Sequence, residues 1–523
     1  MESEQRVSRW QGLALLAMLA WYVTLSVAFV LRVRPNNNEA WFANPAVDLL
    51  VRHTLGTPVL QGKGMWLDGI ARHTYWTMPL YGLVQAPWYA VFGFSLVAQR
   101  MLTVVCGVGV LLCLFVLVRR LAGSGAALLA VLLAAVDSEL IRLSAQGRMD
   151  MLCALLGLGG LAVYVTLRHR SLPLAVGVAH ALGALACMTH PYGVLPATSL
   201  WALMLLLDAR RMRLSLLLLA VAPYAAVLLA WGMYIQRDRS SFVSQFVGNM
   251  HGLQADSGAQ GRFSMLLHPV QAIKQELKVR YLARYHSAVA PLAYLAGLLA
   301  MLAAAWRGRR LELAAIGMVG YLYVLELTLL ESLKREFYLV HTIPVLAMCL
   351  AVSLLALRRV RWLPGWAVAA AVVLLVGVQA GTTLRQYRAA GRGLSDYFAV
   401  LHLLESEPAV PGNTGTTLLA PAEFAYRFGF YSGMEEDWQL GYATGTQPQT
   451  IVLGGLGQRL MEQHMATDPG FRQFVTRRLG QEYRLALQNA SYRVYALSSA
   501  APTAALAVPA SPGRLWALRP LHR

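Results

Sequence analysis

The chain has 523 residues, 57% of them hydrophobic and only 14% charged, with a mean hydropathy of +0.49. That balance excludes an ordinary soluble protein of this size. The formal charge of +19 does not point to nucleic acid, because the basic residues form short clusters between apolar runs instead of lining one soluble face.

Apolar runs near membrane length recur through position 384, each able to cross a hydrocarbon core of about 30 Å as a helix. The first, from about Leu13 to Leu31, is longer than a signal-peptide core and lacks a small-residue cleavage site, so it is expected to stay as an anchor. The clusters Arg6/Arg9, Arg119/Arg120, Arg168/Arg170, Arg210/Arg211/Arg213, Arg307/Arg309/Arg310 and Arg358/Arg359/Arg361 are expected on the cytoplasmic side. This places the N-terminus inside and predicts about eleven spans: 11–32, 97–118, 122–138, 150–167, 172–189, 191–207, 214–235, 287–305, 311–330, 338–357 and 363–384. The expected fold is therefore a mainly α polytopic membrane helix bundle over 1–384, with outer loops 33–96 and 236–286.

Within the first loop, Met78-Pro79-Leu80-Tyr81 with Trp88, Tyr89 and Phe92 predicts a helix lying at the interface, since a twelfth span there would invert every later Arg cluster. Beyond position 384 the composition turns more polar. Runs at Thr416–Ala420 and Thr450–Leu453 alternate with helix-like stretches, predicting a small outer C-terminal α/β domain over 385–523 with a flexible Ala/Pro-rich tail from Ser499. The chain shows no internal repeat of the kind found in transporters built from matching halves.

The five cysteines, Cys106, Cys113, Cys153, Cys187 and Cys349, lie in apolar spans without metal-ligand spacing and read as core residues. Of the sixteen acids before position 380, only Glu2, Glu4, Asp208 and Glu312 fall on or near the predicted cytoplasmic side. The outer face is therefore the expected working face. Glu39, just past the first span, and Asp150, at the outer start of the fourth, stand out by position. One acid of such a pair can act as general base on an acceptor hydroxyl, and the other can orient substrate or hold a divalent cation that neutralises phosphate charge. The plainer alternatives are a solvated loop acid for Glu39 and a helix N-cap or first-turn acid for Asp150. Lys334 and Arg335, just before Tyr338, can bind a lipid-linked phosphate at the bilayer edge or form a solvated cluster with snorkelling stems. His53, His73, His190, His251, His268, His286 and His341 fall at or near the outer side, without the spacing of a local metal motif. Asn489-Ala490-Ser491 matches the glycosylation triplet at chance level.

Over residues 10–384 the order of motifs resembles the GT-C class of integral-membrane glycosyltransferases, in the aminoarabinose transferase and protein O-mannosyltransferase-like branch. Asn38-Glu39-Ala40-Trp41-Phe42-Ala43 is similar to that branch's Asp-Glu-Ala-x-Tyr-Ala motif in the first outer loop. Gly56-Thr57-Pro58 resembles the Gly turn that follows, and Met78-Pro79-Leu80 with Gly93, Ala98 and Arg100 resembles its Lys-Pro-Pro-Leu region. Arg148-Met149-Asp150 looks like the acidic motif of the second outer loop, and Lys334, Tyr338 and Pro344 like a late Lys, Tyr, Pro pattern. The resemblance implies transfer of a sugar from a polyprenyl-phosphate carrier to a lipid, glycan or protein acceptor on the outer side, in a bacterial inner membrane, usually with inversion. It makes Glu39 the base, Asp150 a supporting acid or metal ligand, and Lys334 with Tyr338 phosphate contacts. Three departures are visible. Asn38 stands where the branch has Asp, and His190-Pro191 where relatives often carry Lys-Gly. Thr77 and Met78 replace the Lys and first Pro, so that phosphate contact is either absent or supplied elsewhere, with Lys63 or Arg72 as candidates. A lipid or solute transporter and a polymerase or ligase using diphosphate-linked glycans are the competing readings; a transporter would place ionisable residues deep within its spans.

Overall fold

A computed structural model describes residues 8–248, 264–307, 310–358, 360, 364–406, 417–431 and 433–498. The expectations placed on Glu2, Glu4, Arg6, His251, Arg309, Arg359, Arg361, Thr416 and the tail from Ser499 lie outside the described residues. The chain divides into two compact units. The first comprises 1–31, 100–237 and 250–388, and the second 32–99, 238–249 and 389–523.

Among the described residues, ten helices are long and apolar enough to cross a membrane, and the protein is an integral membrane protein. Most follow the predicted spans closely, for example Arg9–Arg32, Asp150–Leu167, Leu172–Thr189 and Leu214–Ile235. The expected span 122–138 is the exception. Its helix, Ser124–Ala135, has 12 residues and would cover only about 18 Å. It stops because Asp137 accepts the backbone N–H groups of Glu139 and Leu140, both at 3.0 Å, and so caps a new short helix, Ser138–Ser144. The last predicted span instead runs longer, as Gly365–Ala390.

Helix Leu339–Leu357 is the centre of the first unit. Almost every side chain along it is buried, and it packs against Ser124–Ala135, Val289–Trp306 and Leu311–Leu330. Contact with Val289–Trp306 is close because Gly297 has no side chain. A Cβ there would lie 2.6 Å from the Leu350 Cα, and the Ser353 hydroxyl donates to the Gly297 carbonyl at 3.1 Å. By contrast, helix Leu214–Ile235 buries only Ala220 and leaves Leu214, Leu218, Leu228, Leu229 and Met233 exposed, as expected of a surface solvated by lipid chains.

The second unit contains helices Asn37–Arg52 and Leu80–Phe92 and the C-terminal region. With 13 residues, Leu80–Phe92 is about 20 Å long, too short for a twelfth span. The C-terminal sheet has five strands: β1 Leu418–Leu419, β2 Met434–Glu435, β3 Thr450–Gly454, β4 Tyr483–Gln488 and β5 Tyr492–Leu497, in the order β2-β1-β3-β5-β4. β1 runs parallel to both neighbours, while β3, β5 and β4 are antiparallel. The two predicted apolar runs became β1 and β3. Asn489 shapes the β4–β5 turn, its Oδ1 accepting from the Tyr492 and Ser491 backbone at 2.8 and 3.0 Å.

Beneath this sheet lies Glu423, whose Oε1 accepts the Tyr492 hydroxyl at 2.5 Å while its buried Oε2 has no hydrogen-bond partner. Burial pushes its carboxyl up to about 7. An acid whose pKa is higher when folded binds its proton preferentially in the folded state, so its contribution is complete below the ordinary glutamate range and disappears as pH rises through about 7. We expect the thermal midpoint of the protein to fall between pH 5 and pH 8, and Glu423→Gln to flatten that fall when both are melted across the same buffers.

Candidate functional site

Asp150 occupies the first turn of helix Asp150–Leu167, with Met149 as an N-cap that offers no side-chain bond. The first-turn alternative describes its position, but the side chain is buried and engaged. Its Oδ2 accepts from Arg148 Nε at 2.8 Å, and the Arg148 guanidinium lies 3.9 Å over the Phe337 ring. His190, at the end of helix Leu172–Thr189, turns Nε2 to within 3.7 Å of Asp150 Oδ1. Its other nitrogen, Nδ1, accepts the Tyr192 N–H at 3.1 Å, which fixes the ring. Tyr338 packs beside it, tilted against His190 with ring centroids 5.3 Å apart and edge-on to Tyr192 at 4.5 Å, and His341 follows one turn later. Asp150, His190 and His341 present donor atoms that all lie within 4.8 Å of one another, a set able to hold a metal ion. Sequence reading named each of these residues but could not join them: residues 150, 190 and 341 lie on different elements, with no local spacing to reveal the cluster.

Lys334 lies four residues before Tyr338 and is committed elsewhere. Its buried ammonium donates to the Thr328 carbonyl and pairs with Glu276 Oε2 at 3.3 Å. Glu276 Oε1 in turn meets Arg280 Nη1 at 2.7 Å, and Arg280 also pairs with Glu331. Glu331 then accepts the backbone N–H groups of Leu333 and Arg335, both at 3.0 Å. Burial lowers the Lys334 ammonium and raises the Glu276 carboxyl, with their mutual pairing opposing both shifts. Lys334 also has a φ of 52°, a left-handed conformation that the surrounding pairs must hold in place. The solvated-cluster expectation therefore does not describe it. Arg280, Glu276 and Glu331 were missed because nothing in their sequence context distinguishes them from loop charges.

Glu39, Lys63 and Arg72 lie in the second unit. Glu39 is not a solvated loop acid. It is the third residue of helix Asn37–Arg52 and is fully buried. Its Oε2 accepts from the Asn36 backbone N and Nδ2 at 3.2 and 3.1 Å, while Asn36 Oδ1 accepts the Glu39 N–H at 3.2 Å, forming a reciprocal capping box. Two residues on, Trp41 Nε1 donates to Glu436 Oε2 at 2.6 Å, and Glu436 also receives Asn37 Nδ2 at 2.5 Å, Trp438 Nε1 at 3.0 Å and the Ala422 N–H at 3.0 Å. Burial holds the Glu436 carboxyl above its ordinary range even against these donors. Lys63 and Arg72 are exposed on the loop between helices Asn37–Arg52 and Leu80–Phe92.

The fold defines the class: it is the GT-C fold of membrane glycosyltransferases. ArnT from Cupriavidus metallidurans bound to undecaprenyl phosphate superposes with a TM-score of 0.62 at 14% identity, over 94% of this chain and 99% of that one. The Archaeoglobus fulgidus oligosaccharyltransferase in complex with Zn and sulfate gives 0.55 at 13% identity, over 84% and 68%. The archaeal oligosaccharyltransferase AglB from the same organism, with an inhibitory peptide and a dolichol-phosphate, gives 0.52 at 11%, over 86% and 70%. Residues 76–234 match the family model of dolichyl-phosphate-mannose-protein mannosyltransferase. Comparison with curated protein sequences gives no significant match.

Arg280→Ala would leave Glu276 without its closest cation and Glu331 without its only side-chain partner among the described pairs. Breaking a buried ion pair from one side costs about 3–5 kcal/mol. We expect a correspondingly lower unfolding midpoint in detergent, measured against wild type by intrinsic fluorescence.

Proposed function

We propose that this protein transfers a sugar from a polyprenyl-phosphate carrier to a lipid, glycan or protein acceptor at the outer surface of a bacterial inner membrane, with its N-terminus inside and its C-terminal unit outside. The observation that carries this reading is the fold shared along nearly the whole length of both chains with a protein bound to undecaprenyl phosphate. The family-model match over 76–234 supports it. That stretch includes Asp150 and His190.

In the proposed reaction the acceptor's nucleophilic atom attacks the anomeric carbon from the face opposite the phosphate. Its proton passes to a carboxylate, the bond from the anomeric carbon to the phosphate oxygen breaks, and the electron pair leaves with polyprenyl phosphate. The configuration inverts. Glu39 is the proposed base. Its capping box fixes the side chain, and a fixed base loses less entropy on reaching the transition state. Asp150 is the supporting acid, oriented by Arg148. Tyr338, together with Lys63 or Arg72, is proposed to meet the carrier phosphate. Lys334 can do so only by exchanging Glu276 for the phosphate. A divalent ion would assist by neutralising charge on the leaving phosphate.

The test uses Glu39→Gln and Asp150→Asn, both close in shape to the native residues; Gln at the third helix position also keeps the capping acceptor. With folding verified, each is expected to lower transfer from a native lipid extract roughly 10²- to 10⁴-fold. Full activity in both would remove the site assignment. Mass spectrometry of the copurified lipid separates a monophosphate-sugar carrier from the diphosphate-linked glycan that a polymerase or ligase would retain.

A further inference from the structure

We infer that Asp150, His190 and His341 form a site for one divalent transition-metal ion. The three arise from separate elements of the first unit: the first turn of one helix, the end of a second and the first turn of a third. They are 2%, 5% and 1% exposed. Polar groups buried this deeply are nearly always hydrogen-bonded. Yet Asp150 Oδ1 and both ring nitrogens of His341 have no hydrogen-bond partner. An acid oxygen and an imidazole left unsatisfied beside each other, with a second imidazole nitrogen 3.7 Å from that oxygen, are arranged around a common point. Metal–ligand bonds of about 2.1 Å in a tetrahedral set put donors about 3.4 Å apart. The Asp150–His190 separation already approaches this, and since all donors lie within 4.8 Å of one another no spacing must close by more than about 1.4 Å.

The surroundings say how each ligand would bind. Arg148 occupies Asp150 Oδ2, so the carboxylate would ligate through Oδ1 alone, held in orientation by the guanidinium as outer-shell partners hold metal carboxylates. His341 has both nitrogens available. His190 is the strained member. Because Nδ1 accepts the Tyr192 N–H, the ring carries its proton on Nε2, and ligation through Nε2 requires that proton to move to Nδ1 and the Tyr192 contact to open. Two imidazoles and one carboxylate suit Zn²⁺, Co²⁺, Fe²⁺ or Mn²⁺ better than Mg²⁺ or Ca²⁺, which prefer all-oxygen sets. With only three protein ligands, one or more coordination positions remain for water or substrate. Because the carboxylate is already balanced by Arg148, a bound dication would leave the cluster positive and ready to accept an anionic ligand.

The test reads metal binding and does not depend on sugar transfer. Full-length, tag-free protein in nanodiscs is stripped with chelator, titrated with Co²⁺ and followed by visible d–d absorption, with metal content then measured by mass spectrometry after desalting. The expected result is about one Co²⁺ per chain, as for a single set of three protein ligands, displaced by Zn²⁺ and not by a large excess of Mg²⁺. His341→Asn and Asp150→Asn should each abolish the band, while His73→Asn, in the second unit, should leave it unchanged. Either variant suffices if the other fails to fold. Absence of a band and of retained metal in wild type, or a full band in a folded His341→Asn or Asp150→Asn protein, overturns the assignment. Metal binding without sugar transfer would leave this site standing and remove the proposed function instead.

Discussion

The Arg148–Asp150 pair is the contact from which the buried Asp150, His190 and His341 cluster of the first unit is built. A carboxylate at the mouth of an apolar helix bundle cannot stay charged without a specific partner, because burial removes the water that would otherwise solvate it. Arg148 answers one oxygen and lies on Phe337. The Phe337 contact brings in the segment that also carries Tyr338 and His341. The other oxygen is then free to face the two histidines. The same pair thus fixes the acid and aims its unused oxygen.

The second unit solves the same problem with neutral donors. Glu436 is buried, and among the described residues its hydrogen bonds come from no cation. Two indole N–H groups, an amide and a backbone N–H surround it instead. Asn37 and Trp41 come from the same helix as Glu39, so the bonds to Glu436 and the capping box together fix its N-terminal end. Side chains on a helix held at both its cap and its flank lose little further freedom when substrate arrives, which is the physical meaning of a preorganised site.

The membrane bundle was legible because the bilayer imposes one strong rule: a spanning segment must satisfy its own backbone, so it must be a long apolar helix. Hydropathy and Arg clusters therefore locate nearly all the helices. Ser124–Ala135 ended early because the signal that stops it is tertiary as well as local: Asp137 caps the next helix and also accepts the Tyr285, Tyr294 and Gln379 side chains at 3.0, 2.8 and 2.8 Å. The strands β1 and β3 were visible as apolar runs, whereas β2 is only two residues long and carries no pattern. Within the sites, motif resemblance singled out Glu39 and Asp150 but not their environments. A solvated loop acid and a buried cap have the same sequence appearance, and the partners that distinguish Asp150, His190 and His341 lie tens to hundreds of residues apart.

Lys334 shows most clearly how environment changes the meaning of a residue. As a sequence feature it is a basic side chain near a membrane boundary, suited to a phosphate. In the folded chain it is the last member of a buried set in which Arg280 and Lys334 balance Glu276 and Glu331. Charge balance makes the cation locally neutral, so an approaching phosphate must compete with a carboxylate already in place. Arg148 is constrained in the same way by Asp150. The three buried cations Arg148, Arg280 and Lys334 are therefore spent on holding acids, and an anionic ligand reaching them would have to displace a carboxylate or draw on a further cation such as a bound metal ion. The unsatisfied face of Asp150 and His341 makes the second route available without breaking a resident pair.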